Sequence, residues 1–155
     1  MFGWFKPIKS VEDLVDKKKT LNSITWWIEC NIAYENRLPG SLWPTAAQVL
    51  TDQRASCNGF AVLTYEALLL VPGCVPHIVA MMWPKEDNYD GKAHHAACFV
   101  EVGSIWYYVS NGILDVCRKA TSLKEAILHV QPTVLFAAEV NREGKNPVTI
   151  LSKIS

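Results

Sequence analysis

Apolar positions follow a helical period most clearly after Cys57, where Phe60, Ala61, Leu63, Thr64, Ala67, Leu68 and Val71 form one broad face that ends at Pro72-Gly73. Three shorter helices precede it. Ser10, with Glu12 and Asp13 behind it, has the character of an N-cap with acids in the first turn, and Leu14 and Val15 supply an apolar stripe up to about Lys19. Ser23 to Tyr34 carries Ile24, Trp27, Ile28 and Ile32 at helical spacing, which reads as a buried helix with its tryptophans in the core, closed by a turn at Leu38-Pro39-Gly40. Pro44 suits a first helical turn and opens a short helix through Ala47, Val49 and Leu50 toward Asp52.

Beyond Gly73 the pattern changes period. His77 to Trp83, Ala96 to Val102 and Trp106 to Val109 are rich in β-branched and aromatic residues and read as antiparallel strands. Val102-Gly103-Ser104-Ile105 is a tight hairpin, while Pro84 to Lys92 is a polar excursion of the kind that often borders a site. A helix over Ser122 to Val130 and strands near Val134 to Val140 and Val148 to Ile154 complete the series. Helices first and strands afterwards predict an α+β fold with a largely antiparallel sheet, as one domain over residues 1–155.

Composition narrows the classes. At 155 residues and 50% apolar, the chain can bury about two-thirds of its unfolded surface in one core. Fifteen basic and fifteen acidic side chains cancel without forming a block of either sign, which argues against a nucleic acid or an anionic membrane as partner. No apolar run approaches the roughly 20 residues that span a bilayer. The stretch MFGWFKPIKS lacks the long apolar core and cleavage site of a secretory signal, so a reducing cytoplasm is expected, and the short chain suits a bacterial or phage protein. Five cysteines, Cys30, Cys57, Cys74, Cys98 and Cys117, leave at least one thiol free in a monomer and contain no Cys-x-x-Cys pair.

Cys57 differs from the other four by position. It stands where Arg54-Ala55-Ser56 leads into the strongest helix, so free backbone N–H groups and the helix dipole stabilise a thiolate there. Gly59 beside it leaves room for a substrate backbone. A nucleophilic thiol needs an imidazole and a group that orients it. His77 and His129 read as edge and surface residues, whereas His94 and His95 sit where the polar excursion enters a strand. Alternation sends these two to opposite faces, and spacing alone does not choose between them. Asn111 and Ser110, at the end of the following strand, are available to orient the ring, with the asparagine oxygen the better acceptor. His94, His95 and Cys98 split between two faces and lack a fourth partner, so no metal is expected.

In this arrangement the sequence resembles the transglutaminase-like superfamily, including bacterial transglutaminase-like cysteine proteinases. Trp43, Cys57, Ala61 and Gly73 match the tryptophan, nucleophile helix and closing glycine. His95-Ala96 with Ala97 to Val102 match the histidine-headed apolar strand, and Trp106-Tyr107-Tyr108-Val109 match the aromatic strand after it. The resemblance spans Trp43 to Asn111 and implies a papain/transglutaminase-like fold, with the Cys57 helix packed on an antiparallel sheet. It also implies a Cys57-His95-Asn111 triad in a cleft lined by Trp43 and Gly59, with Gln48 or Gln53 as an oxyanion donor and His94 or Ser110 as substitutes. Where the family has an aspartate this chain has Ser110-Asn111, the nearest aspartate being Asp115; papain-like enzymes use asparagine there. The acidic residues that bind calcium in some members are Ser56 and Asn58 here, so neither calcium nor another cofactor is expected. The implied activity is thiol-dependent hydrolysis of an amide in a protein or peptide substrate, most simply by a cysteine peptidase. Glutamine deamidation or transamidation by the same residues, and a catalytically degenerate binding module, are the alternatives.

Overall fold

The computed structural model describes residues 7–38 and 40–154. The aromatic N-terminal stretch up to Lys6 and Pro39 of the expected turn lie outside the described residues. Helices α1 (Val11–Lys18) and α2 (Leu21–Asn31), strand β1 (Ala33–Tyr34), α3 (Ala46–Asp52), β2 (Arg54–Ala55) and α4 (Cys57–Leu69) come first. Strands β3 (Cys74–Pro84), β4 (Lys92–Val102), β5 (Ile105–Ser110) and β6 (Ile113–Cys117), helix α5 (Leu123–Val130), β7 (Phe136–Val140) and β8 (Val148–Ser152) come after. The α+β reading is correct.

The helix starts are set by side-chain caps. Ser10 Oγ accepts from Asp13 N at 3.0 Å, Thr20 Oγ1 from Ser23 N at 3.2 Å and Ser122 Oγ from Glu125 N at 3.1 Å. Thr45 and Gln48 form a reciprocal capping box, so α3 starts two residues after Pro44. Helix α4 is the exception: its N-cap, Ser56, makes no side-chain cap.

Six strands form one antiparallel sheet in the order β6-β5-β4-β3-β7-β8. Alternation divides its residues between two cores. Ile78, Ala96, Cys98, Val100 and Val109 pack under α1 to α4 with Leu14, Ile24, Ile28, Leu63 and Leu68. Val79, Met81, Ala97, Phe99 and Trp106 pack on the other side with Ala126 and Ile127 of α5. Each fully buried leucine or isoleucine contributes about 1.5–3 kcal/mol by leaving water, so burial on both faces holds β3 and β4 at the centre.

Helix α4 reverses into β3 through Leu70–Gly73, where Gly73 takes the positive φ of +83° that the turn requires. The helix therefore runs back along the sheet. Its 13 residues cover about 20 Å, which equals roughly six strand residues and brings Cys57 to the level of the Ala80–Ala96 pair. By this length α4 begins toward the end of β3 and the start of β4.

One expectation needs correction. Trp26 is not core: it is 64% exposed, while its neighbour Thr25 is buried and returns its hydroxyl to Leu21 O at 2.9 Å. The segment after Asn111, to which the hydrophobic pattern assigned no element, is the edge strand β6.

Candidate functional site

The parallel bridge β1–β2 pairs Tyr34 with Ala55, and Glu35 N donates to Ala55 O at 2.9 Å just before α4 begins. This fixes the entry into the helix and sets Tyr34 beside it, its ring stacked on Phe60 at 6.4 Å. Burial, and then the charge on Cys57, push the Tyr34 phenol above its ordinary range. Cys57 itself is half-buried, and its Sγ donates to Asn58 Oδ1 at 3.5 Å.

Gly59 is buried, and a Cβ there would meet Ala55 at 2.7 Å, Pro44 at 3.0 Å and Val49 at 3.1 Å. The room left by its missing side chain is filled by α3. Gln48 is exposed and its Oε1 is committed to Thr45 N at 2.8 Å; Gln53 is the left-handed C-cap of α3, with φ 53° and an exposed side chain. Trp43 lies against the β7–β8 connection, where a side chain at Gly144 would overlap its indole.

Strand β4 pairs with β3 along its whole length, but with β5 from Val102 only to Cys98. Past that point β4 and β5 separate, and His95 Nε2 bridges the opening to Ser110 Oγ at 2.8 Å. The imidazole is flanked by the edge of Trp83 at 6.3 Å. Burial holds its pKa below the ordinary histidine value, so the ring is neutral at pH 7. Its Nε2 is the ring nitrogen engaged with Ser110.

Ser110, and not Asn111, is therefore the residue bonded to His95. Asn111 adopts a left-handed turn conformation with φ 50°. Among the described residues, the buried side-chain oxygens without a hydrogen-bond partner are Asn111 Oδ1 and Ser56 Oγ. His94 points outward and contacts Asp90 Oδ2 at 2.9 Å, and that hydrogen bond holds the Asp90 carboxyl below the usual range. His77 Nδ1 meets Glu139 Oε1 at 2.9 Å, and His129 is exposed in the last turn of α5.

One residue of this region was not singled out from the sequence. Tyr108 lies two positions before Ser110 on β5, with its ring 5.0 Å from Phe99. Burial raises its phenol, the Ser110 hydroxyl beside it pulls the other way, and the charges of Asp115, Cys117 and Cys57 raise it further. The signal was available in the alternation Tyr108-x-Ser110.

The five cysteines are free. Cys98 is buried and its thiol is pushed far up by burial, while Cys117 is pushed up to about 11 for the same reason. Among the described residues no cluster of three or more His, Cys, Asp or Glu side chains is placed to hold a metal ion. No helix of the described residues is long and apolar enough to cross a membrane.

Legionella pneumophila LapG superposes on 82% of this chain and 71% of its own, with a TM-score of 0.52 and 14% sequence identity. The fold is transglutaminase-like. At that identity the likeness concerns the fold alone. The UPF0252 protein MJ1282 of Methanocaldococcus jannaschii is 20% identical over 140 residues, which cover 83% of this chain and 40% of that protein. The chain thus spans about two-fifths of the length of this curated relative. No family model matches the sequence.

Proposed function

We propose that the protein is a thiol-dependent amide hydrolase acting on proteins or peptides, most simply a cysteine peptidase, with Cys57 as nucleophile and His95 as base. What supports this reading is the His95 Nε2–Ser110 Oγ hydrogen bond at 2.8 Å, at the opening between β4 and β5, taken with Cys57 in the first turn of α4. We read the start of α4 and the start of β4 as the borders of one site.

In this scheme His95 Nδ1 takes the Cys57 proton, and the thiolate attacks the substrate carbonyl. The resulting oxyanion accepts from the free N–H of Cys57 in the first turn of α4. Collapse breaks the C–N bond, and the leaving amine takes the proton from His95. Water then gives its proton to His95 and attacks the thioester, and Cys57 recovers its thiol as the acid leaves. A glutamine carboxamide entering the same cycle would be deamidated, or transamidated if an amine replaced water. Gln48 has its oxygen committed to the α3 capping box, so the second oxyanion donor assigned to it is not part of this scheme.

A catalytically degenerate binding module is the second reading. It is favoured by the Cys57 Sγ contact with Asn58 and by a serine on His95 in place of a carboxylate. A peptidyl acyloxymethyl ketone, applied in a Cys30→Ala background because Cys30 is exposed, separates the two. Labelling should be lost in Cys57→Ala, and its rate should fall by about 10²- to 10⁴-fold in His95→Gln, the span expected for a lost general base. Equal labelling of the parent and Cys57→Ala, or no labelling of either, would overturn the enzymatic reading.

A further inference from the structure

His95 has a second nucleophile within reach. Ser110 Oγ lies 2.8 Å from His95 Nε2, inside the roughly 2.6–3.2 Å over which an imidazole takes a proton from a hydroxyl that it activates. The thiol is engaged elsewhere, since Cys57 Sγ donates to Asn58 Oδ1 at 3.5 Å. A hydroxyl can donate or accept, so the ring tautomer decides what Ser110 does. With the ring proton on Nε2, Ser110 accepts it and orients the ring. With the proton on Nδ1, Ser110 donates to the Nε2 lone pair and is itself the group that the base activates.

We propose that Ser110 and His95 form a Ser–His dyad that hydrolyses oxygen esters, with Ser110 as nucleophile and His95 Nε2 as base. This activity goes beyond the thiol chemistry: it uses the same imidazole and needs nothing from Cys57. The place of the pair in the fold supports it. Strand β5 pairs with β4 only as far as Val109, so Ser110 stands at the opening between the strands, and both Ser110 and His95 are half-buried, which leaves them within reach of a substrate. The next residue supplies an oxyanion donor. Asn111 and Gly112, with φ 50° and 85°, form the turn beyond the last β5–β6 pair, Ser110 with Ile113. The Asn111 N–H is therefore outside that ladder and directly follows the nucleophile, the position from which a backbone N–H serves the oxyanion in serine hydrolases.

Ser110 gives its proton to Nε2 as Oγ adds to the ester carbonyl, the C–O bond to the alcohol breaks, and the leaving oxygen takes that proton from Nε2. Water then adds to the acyl-serine and gives a proton to Nε2, and Ser110 Oγ recovers it as the acid departs. The substrate class follows from the surroundings of His95. Among the described residues its hydrogen-bond partner is Ser110, and the edge of Trp83 stands at 6.3 Å, so no carboxylate supports the imidazolium that forms in each step. Burial opposes that charge further. Such a base suits an ester, whose alcohol leaves with less help than the amine of an amide.

The test uses a fluorophosphonate and p-nitrophenyl butyrate on Cys30→Ala/Cys57→Ala protein, in which neither thiol contributes. Peptide mapping should place the fluorophosphonate on Ser110. Ester turnover should fall by about 10²- to 10⁴-fold when His95→Gln is added, and to a similar floor with Ser110→Ala. Adding Ser110→Cys instead should give an acyl adduct at position 110, which shows that this position, and not merely an intact fold, takes the acyl group. A fluorophosphonate that leaves Ser110 unmodified, or ester turnover unchanged by Ser110→Ala, would overturn the dyad. A peptidyl ketone adduct on Cys57 of the parent with no fluorophosphonate adduct on Ser110 removes the dyad and keeps the thiol hydrolase. An adduct on Ser110 with none on Cys57 keeps the dyad and removes the thiol hydrolase.

Discussion

Gly112 is where the candidate site leans on the helical layer, and Gly112→Ala probes that contact. The residue comes after Ser110 and Asn111 in the β5–β6 turn with φ +85°. A Cβ there would fall 2.7 Å from Glu29 N and 2.8 Å from Glu29 Cα, both backbone atoms of α2. Two costs arise. A side chain in the left-handed region costs about 1–2 kcal/mol, and forcing turn and helix apart is overpacking, at about 1–3 kcal/mol. Together they give roughly 2–5 kcal/mol, a large share of a total stability of about 5–15 kcal/mol. Gly91→Ala is the control, because its φ of +68° carries the conformational cost while a Cβ there meets nothing within 4 Å. Urea denaturation at constant m should therefore show Gly112→Ala to be less stable than Gly91→Ala by about 1–3 kcal/mol. In a thermal melt the extra loss should appear as roughly 2–12 °C. Displacement of the turn should also loosen Ser110 from His95 and slow Cys57 labelling in Gly112→Ala alone. If the two variants matched within about 0.5 kcal/mol, the claim that α2 fixes the turn carrying Ser110 would be wrong.

Three further outcomes are expected. Because burial lowers the His95 pKa, the unfolded chain binds more protons than the folded one between the folded value and the ordinary 6.5. Stability should thus rise with pH through that window, be lost as pH falls through it and level off below the folded value, and a urea series from pH 5 to 8 should show a steeper rise in the parent than in His95→Gln. Ser56→Ala removes a buried hydroxyl that has no hydrogen-bond partner, so the variant should be unchanged or up to about 1 kcal/mol more stable; a clear loss in urea would mean that the hydroxyl is bonded. Thr45→Ala breaks the α3 capping box and should cost about 1 kcal/mol by the same assay, with no change in the pH dependence of Cys57 labelling.

How much the sequence disclosed depends on the range over which each signal acts. Caps are local, so Ser10 and Ser122 marked helix starts correctly, and Gly103-Ser104 marked the hairpin. Strand β6 escaped because it is a five-residue edge strand whose Asp115 and Val116 face solvent, with no hydrophobic alternation to announce it. Trp26 misled because helical spacing was read outward from Trp27, whereas α2 turns Thr25 inward and leaves Trp26 to solvent.

The partner of His95 is a different case, because its identity was within reach of the sequence. A hairpin turning on Gly103-Ser104 pairs Val102 with Ile105, and each further step keeps partners on a common face. Phe99 then faces Tyr108, Ala97 falls beside Ser110, and His95 lies one step further on that same face. Asn111 belongs to the opposite set, with Ala96 and Cys98. Preferring asparagine for its chemistry overrode a register that already selected serine. What no local rule supplied is the parting of β4 and β5 beyond Cys98 and Val109, since it depends on how helices and strands distant in sequence pack around the sheet. That opening lets His95 reach Ser110. The opening that brings His95 and Ser110 together is therefore a property of the assembled sheet, while the choice of Ser110 was fixed by a two-residue turn.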